Sequence, residues 1–304
     1  MKKASFEFQF HDWLAKNLSR GTQTIVGIGD DAAVMKSPAG NLVITHDALC
    51  EGVHFLRPDH PLKAIGRKSL AVSLSDIAAM GGVPTAAVIS LVLPRSLDLE
   101  AAGELMRGVA ELAREFAVEI VGGDTNRWDQ GLVIGSTVIG HCERPWQMSG
   151  AQDGDVLVTT GPFGGSLAGH HLYFEPKCKI ASCLASRYKI NAATDVSDSL
   201  SIDLQAICDA SSVGAVLDQI SIPISAACQE RHCDEETALR HALTDGEDFE
   251  LLLAVAPDVW LEMSNELELR GQLFQIGEFR SQTGIWMREP SGREKIVEVA
   301  GYEH

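Results

Sequence analysis

Along the chain, apolar and polar positions alternate so as to predict strands that run into acidic residues and helices with one apolar face. Apolar residues at 6, 10, 13, 14 and 18 form a helical stripe over 6–18. Short apolar runs at 24–28 and 42–45 predict two neighbouring strands, the first opening into Gly27-Ile28-Gly29-Asp30-Asp31 and the second reaching Asp47. Ile65, Leu70, Leu74 and Ile77 keep helical spacing over 62–80, while Ser69, Ser73 and Asp76 share one polar face of that helix. A polar stripe on an otherwise apolar helix must face a partner. Gly81, Gly82 and Pro84 end the helix. The continuous apolar run 86–93 predicts a strand, and Leu99, Ala102, Met106, Val109, Ala113 and Phe116 mark the core face of a helix over 97–116. A strand at 118–121 then delivers Asp124, and one at 132–140 closes the first half.

Proline and polar residues between 143 and 154 read as a linker, so two domains are expected, 1–145 and 150–304. The second opens with a strand at 155–160 and a glycine-rich turn, Gly161-Pro162-Phe163-Gly164-Gly165-Ser166. Such a turn either cradles a phosphate through its amides or makes a tight connection, and the sequence leaves both open. Helices are expected at 177–190 and 201–210, the latter with Leu204 and Ile207 inward; Asp195, Asp198 and Asp203 stand beside it, more carboxylates than one helix cap uses. A strand at 213–220 and helical turns over 236–242 precede an acidic turn, Thr244 to Glu250. That turn feeds the apolar strand Leu251-Leu252-Leu253, which suits a central sheet position. A helix near 257–269 and three short strands complete an α/β or α+β architecture in two lobes.

Composition narrows the function. At 304 residues, with 45% hydrophobic and 22% charged residues, the chain suits two globular domains. It has no apolar run near the roughly 18 residues that span a bilayer, and its first residues lack the apolar core of a signal peptide; a cytoplasmic location is expected. A net charge of −17 argues against a nucleic-acid or anionic-membrane surface, so a polyanionic ligand would have to arrive with metal. The seven cysteines include no Cys-x-x-Cys pair, and the group Cys228, His232, Cys233 lacks the second half of a zinc site.

The chemistry is carried by aspartates that recur after strands: Asp30, Asp31, Asp47 and Asp124, with Asp76 on a helix. If they converge, two like charges about 4 Å apart repel by roughly 4 kcal/mol at an effective dielectric near 20, so a cation must join them. Oxygen-only ligands favour Mg²⁺, which adds water and substrate phosphates to its shell. Capping and turn formation explain any single aspartate better than metal binding does; recurrence after three strands weakens that reading considerably. Gly27-Ile28-Gly29-Asp30-Asp31-Ala32 formally fits a dinucleotide fingerprint, but two acidic residues would face the pyrophosphate, and Pro38 and Gly40 come too early for the required helix. Lys68-Ser69 follows Arg67 where a P-loop needs glycine, so there is no Walker A motif.

Several motifs occur in a family's order: Gly27 to Asp31, Asp47 with Gly52-Val53-His54-Phe55, Lys68 through Ser75-Asp76-Ile77-Ala78-Ala79-Met80-Gly81, Gly122-Gly123-Asp124-Thr125, Ser197-Asp198 with Asp203-Leu204, and Gly246-Glu247-Asp248-Phe249-Glu250-Leu251. On these the chain resembles the thiamine-monophosphate kinases of the aminoimidazole-ribonucleotide synthetase superfamily; Gly301-Tyr302-Glu303-His304 is similar to the usual ending. The resemblance implies a homodimer whose N-terminal sheets join into a barrel and a C-terminal mixed sheet with helices. It implies an ATP- and Mg²⁺-binding, dimerising domain at 1–145 and a substrate-side domain at 150–304. The activity implied is direct in-line transfer of the γ-phosphoryl of ATP to thiamine monophosphate, with several Mg²⁺ ions.

Carried over by position, Asp30, Asp31, Asp47, Asp76, Asp124 and Asp198 would bind metal, and Asp30, Asp31, Gly123, Asp124, Thr125 and Lys68 would hold ATP. His54, Asp203, Glu247, Asp248 and Tyr302 would meet the acceptor, with Ser197 and Asp198 facing the reacting phosphates. The chain departs from the pattern at Ser199 and Asp245, where glycine is usual, at Ser73, usually asparagine, and at Glu175-Pro176-Lys177, which shortens an Arg-Pro-x-Pro-Arg-like stretch. Two rival readings stay open: a relative acting on another phosphorylated acceptor, and a non-catalytic nucleotide-binding paralogue. Retention of the six aspartates speaks against the second rival, because an unused carboxylate cluster repels itself.

Overall fold

Helix α1 (Phe6–Asn17), strands β1 (Thr24–Val26), β2 (Val34–Met35) and β3 (Asn41–Cys50), helix α2 (Leu62–Ala79), strand β4 (Val83–Pro94), helix α3 (Leu99–Glu115) and strands β5 (Glu119–Trp128) and β6 (Val133–Cys142) follow one another in the first half. This computed structural model describes residues 6–18, 22, 24–26, 34–36, 40–231 and 234–302. Contacts divide it into two units, Met1–Ile77 with Gly82–Glu143 and Ala78–Gly81 with Arg144–His304.

In the first unit, β3, β6, β4 and β5 form a sheet in that order, antiparallel except for the parallel pair β4 and β5 joined through α3. Helix α3 starts on Asp98, whose side chain accepts from Ala101 N, and ends near Arg114, so both ends complement the backbone dipole. Its apolar face, including Leu105, Met106, Val109 and Leu112, is buried. Helices α2 and α3 approach too closely for side chains: a Cβ on Gly108 would stand 1.9 Å from the carbonyl oxygen of Lys63.

The strands expected at 42–45, 86–93, 118–121 and 132–140 are present with longer reach. Strand β3 runs ten residues straight through Asp47, and β5 runs ten through Asp124. Both aspartates therefore lie within ladders instead of beyond strand ends. Strand β1 pairs with β2, whereas β3 pairs with β6, so 24–26 and 42–45 are not paired neighbours, residues 27 and 28 lying outside the described residues. β-Propensity marks a strand, but only long-range pairing chooses its partner.

The second unit holds β7 (Val156–Thr159), α4 (His170–Tyr173), α5 (Cys178–Arg187), β8 (Ala192–Asp195), α6 (Leu200–Ser211), β9 (Gly214–Asp218), α7 (Ala226–Arg231), α8 (Glu235–Thr244), β10 (Leu251–Val255), α9 (Pro257–Asn265), β11 (Phe274–Arg280), β12 (Gly284–Arg288) and β13 (Glu294–Ile296). Its mixed sheet has the order β13-β12-β9-β11-β7-β10-β8. The core between this sheet and its helices gathers Leu157, Leu204, Ile207, Leu217, Leu252 and Ile276. The fully buried β10 is flanked on both sides, as its unbroken apolar run requires, although it lies next to the edge strand β8 instead of mid-sheet. Strand β8, four small or polar residues, carries no alternating pattern and was not foreseeable as a strand. No helix among the described residues is long and apolar enough to cross a membrane.

Candidate functional site

The polar stripe of α2 faces the sheet. Ser73 Oγ donates to Asp47 Oδ2 at 2.6 Å and lies 2.7 Å from Ser136 Oγ on β6; Thr45 on β3 donates to Asp76 Oδ2. Ser136 Oγ in turn donates to the Ser69 carbonyl. Asp47 and Asp76 thus occupy the helix-covered side of the sheet, each with one oxygen committed to a hydroxyl. The replacement of asparagine by Ser73 is compatible with that contact, since a hydroxyl supplies the donor a carboxylate needs.

Asp124 is elsewhere. The β4–β5 register pairs it with the exposed Ser90, which pairs with Gly135, while Asp47 pairs with Ser136 one position along. Asp124 therefore points to the uncovered face and is exposed, with Asn126 Nδ2 donating to its Oδ2 at 2.7 Å. Gly123 and Thr125, neighbours of Asp124 on β5, are exposed and half-buried. Among the described residues no three His, Cys, Asp or Glu side chains come together to hold a metal ion. Asp30 and Asp31 lie outside the described residues, as do Gly27, Ile28, Gly29, His232 and Cys233.

After β3 the chain turns at His54. The ring Nδ1 accepts from Cys50 N at 3.0 Å, which places the proton of the neutral imidazole on Nε2. Lys68 is fully buried on α2 and its Nζ donates to the His54 carbonyl at 2.7 Å. Glu51 fastens the same turn, accepting from Arg57 Nη2 and from Leu132 N, both at 2.7 Å. Burial pushes the Glu51 carboxyl up, but the Leu132 amide and the Arg57 guanidinium outweigh it and hold it below the usual range.

In the second unit the segments 195–203 and 244–250 lie side by side. Glu247 N donates to the Ser197 carbonyl and Phe249 N to the Val196 carbonyl, both at 2.8 Å. At Gly246 a Cβ would meet the carbonyl oxygens of Asp198 at 2.7 Å and Ser197 at 2.9 Å, so only glycine fits. Glu247 and Phe249 adopt left-handed backbone, φ 62° and 53°. Each such residue costs on the order of 1–2 kcal/mol, strain that surrounding structure must hold in place. What it achieves is to turn Asp248 inward: its two oxygens accept from Gly164 N at 3.0 and 3.2 Å.

The departures in this unit have structural employment. Asp245 Oδ2 accepts from Gly165 N at 3.0 Å, and its Oδ1 lies 2.8 Å from His241 Nδ1. Lys177 Nζ pairs with the buried Glu250 at 2.9 Å, and Thr160 Oγ1 donates to the other oxygen of Glu250 at 2.7 Å. Ser199 caps α6, accepting from Ile202 N at 3.1 Å on an extended backbone that any residue adopts. The glycine-rich turn is thereby decided: the amides of Gly164 and Gly165 are taken by Asp248 and Asp245, so it is a tight connection and not an open phosphate cradle. Nor is any of Asp195, Asp198 and Asp203 the helix cap, which is Ser199. A Ser before an apolar helix is the signal that would have found it.

Asp203 Oδ2 accepts from Asp198 N and Ser199 N, both at 3.1 Å. Burial, with the neighbouring Asp198 charge, raises its pKa to about 7 against the pull of those amides. Burial likewise raises Asp248 to about 8, with Asp245 and Glu250 adding to it. Ser197 and Asp198 are half-buried on the loop before α6, and Tyr302, 44% exposed, donates its backbone N–H to the Asp198 carbonyl at 3.2 Å.

Comparison with known proteins bears on this arrangement. A family model described as "AIR synthase related protein, N-terminal domain" matches residues 29–142. The chain is 39% identical over 291 residues to the thiamine-monophosphate kinase of Rhodopirellula baltica, covering 93% of this chain and 92% of that one. It overlays the crystal structure of thiamine-monophosphate kinase from Stenotrophomonas maltophilia K279a with a TM-score of 0.78 at 28% identity, covering 94% and 96% of the two chains. A structure described as "AaThiL complexed with AMPPCP and TMP" gives the same TM-score, 0.78, at 27% identity, covering 98% and 96%.

Proposed function

The chain belongs to the thiamine-monophosphate kinase family, and on that premise we propose that it transfers the γ-phosphoryl group of ATP to the phosphate of thiamine monophosphate, giving thiamine diphosphate and ADP. The observation that carries this is whole-length likeness: 39% identity over 93% of the chain. Structural likeness to a protein that holds AMPPCP, an ATP analogue, and TMP supports the pairing of donor and acceptor.

The acceptor nucleophile is a phosphate oxygen that is already anionic, so no side chain has to abstract a proton. The bond between that oxygen and the γ-phosphorus forms as the γ-phosphorus to bridging-oxygen bond breaks, and the electron pair leaves on ADP. The work left to the protein is alignment and charge neutralisation. A net charge of −17 makes a cation necessary to bring the triphosphate of ATP and the phosphate of the acceptor together. The donor set fits Mg²⁺: it is all carboxylate oxygen, Asp124 is exposed with one oxygen bound by Asn126, and Mg²⁺ takes only one or two carboxylates per ion. Bound there, magnesium would neutralise charge on the transferring phosphoryl group.

In this reading Asp30, Asp31, Asp47, Asp76, Asp124 and Asp198 hold metal, shared among several magnesium ions because Asp124 lies on the face of the sheet opposite Asp47 and Asp76, and Gly123 and Thr125 flank the nucleotide. Lys68 acts through the His54 turn, whose carbonyl it binds. Asp198 and Ser197 face the phosphates, on a loop that Gly246 and Glu247 buttress. Asp203 sets the Asp198 amide, and Asp248 holds the turn at Gly164 that supports the acceptor side. His54, Glu247 and Tyr302 meet the acceptor. Residues 1–145 bind ATP and magnesium, and 150–304 shape the acceptor site. Strand β3 is a sheet edge carrying Leu42 and Ile44, 56% and 60% exposed, which supports a homodimer formed through this sheet. A cytoplasmic location belongs to the same reading, as for a kinase that draws on ATP.

The test is incubation of the purified chain with ATP, Mg²⁺ and thiamine monophosphate, with product followed by mass spectrometry. Thiamine diphosphate that disappears with a chelator is expected. Chelator-resistant product would refute the metal assignment, and absence of product would refute the acceptor.

A further inference from the structure

We infer that Ser199 and Ser201 are positioning residues that strap the C-terminal segment Ala300–Tyr302 across the Asp198 loop, and that this strap sets the acceptor-binding geometry. The inference rests on the functional reading above and deepens it. Ser201 Oγ donates to the Ala300 carbonyl at 2.7 Å and accepts from Ala300 N at 3.1 Å, so one hydroxyl closes both polar groups of a single residue. Ser199 Oγ donates to the same carbonyl at 2.8 Å while it caps α6. Two residues on, Tyr302 N donates to the Asp198 carbonyl at 3.2 Å. Between them, a Cβ on Gly301 would stand 2.5 Å from Ser199 Oγ and 2.8 Å from the Asp198 carbonyl oxygen, so the strap lies flush on the loop.

Both hydroxyls are fully buried, and no strand is assigned beyond Ile296 among the described residues, so these side-chain bonds tie the Ala300 backbone to α6. Loss of a buried hydroxyl leaves its partners unsatisfied. Removing these bonds loosens the segment that carries Tyr302 and the loop on its C-terminal side, while Gly246 and Glu247 still hold the other. The chain's replacement of a usual glycine by Ser199 thereby acquires a purpose, because glycine has no hydroxyl with which to hold Ala300.

The test compares the full-length chain with Ser201→Ala and with Ser199→Gly/Ser201→Ala. Two readings are taken: hydrogen exchange of the C-terminal peptide by mass spectrometry, and steady-state kinetics with ATP and thiamine monophosphate varied separately. Faster exchange at Ala300 and Tyr302 is expected, with a KM for thiamine monophosphate raised about tenfold in the double variant and an unchanged KM for ATP. Equal rises in both KM values, or a fall in kcat alone, would overturn the positioning role. Unchanged exchange would overturn the strap itself. A wild-type chain inert toward thiamine monophosphate would defeat the functional reading and the positioning role with it, and exchange would still show whether the strap exists.

Discussion

Asp248→Asn should make the protein progressively more stable than wild type as pH rises. The carboxyl is 2% exposed and its pKa is raised from 3.8 to about 8, first by burial and then by Asp245 and Glu250. Between those values the folded chain keeps a proton that the unfolded chain has released. Its contribution to stability is therefore full below 3.8 and lost as pH rises through about 8. Each pH unit inside the window costs up to about 1.4 kcal/mol, so wild type should lose up to about 3 kcal/mol between pH 5 and pH 7 from this group. The amide variant cannot ionise, and its side-chain oxygen can still accept from Gly164 N. Asp203, which is also raised, is present in both proteins and drops out of the difference. Urea unfolding at pH 5, 6, 7 and 8 measures it directly. A stability difference that does not change with pH, or one that favours wild type increasingly at high pH, would refute the argument that Asp248 is held protonated by burial.

Three further outcomes follow from named contacts. Gly108→Ala drives a methyl to within 1.9 Å of the Lys63 carbonyl oxygen and should destabilise the first unit by about 1–3 kcal/mol or more, seen as a lower urea midpoint. Ser73→Ala removes the donor to Asp47 and leaves that carboxylate facing Ser136 with one bond fewer, at a cost of about 1–3 kcal/mol in the same measurement. Asp124→Asn, at an exposed position, should leave unfolding within about 0.5 kcal/mol of wild type and lower turnover at least about 100-fold; near-normal turnover would remove Asp124 from the metal site.

The elements were more legible than their partners. Helices α2 and α3 and strands β4, β6 and β10 stand within a few residues of the positions their periodicity marks, because burial of one face is a local property of the pattern. The stripe of Ser69, Ser73 and Asp76 announced a polar partner, and the structure supplies Asp47, Thr45 and Ser136. Pairing was less legible: β1 with β2, and β8 beside β10, depend on contacts between distant segments. So did the acidic turn, where Asp248 reads as an acceptor contact and Asp245 as a departure from the family pattern; in the structure they accept from the amides of Gly164 and Gly165.

By itself the sequence determined the α/β organisation in two lobes, an acidic charge that argues against polyanion surfaces without metal, and the ordered motifs by which the family is known. These reside in periodicity, charge and local spacing, which need no partner to be read. Only tertiary structure decided that Asp124 lies on the uncovered face of a sheet whose other side holds Asp47 and Asp76, that Lys68 is buried beneath the His54 turn, and that Ser199 and Ser201 bind the chain's end. The physical reason is the two-residue period of a strand and the length of chain between partners. One step of register moves a carboxylate to the opposite face, and a bond between residues 201 and 300 leaves no trace in either neighbourhood.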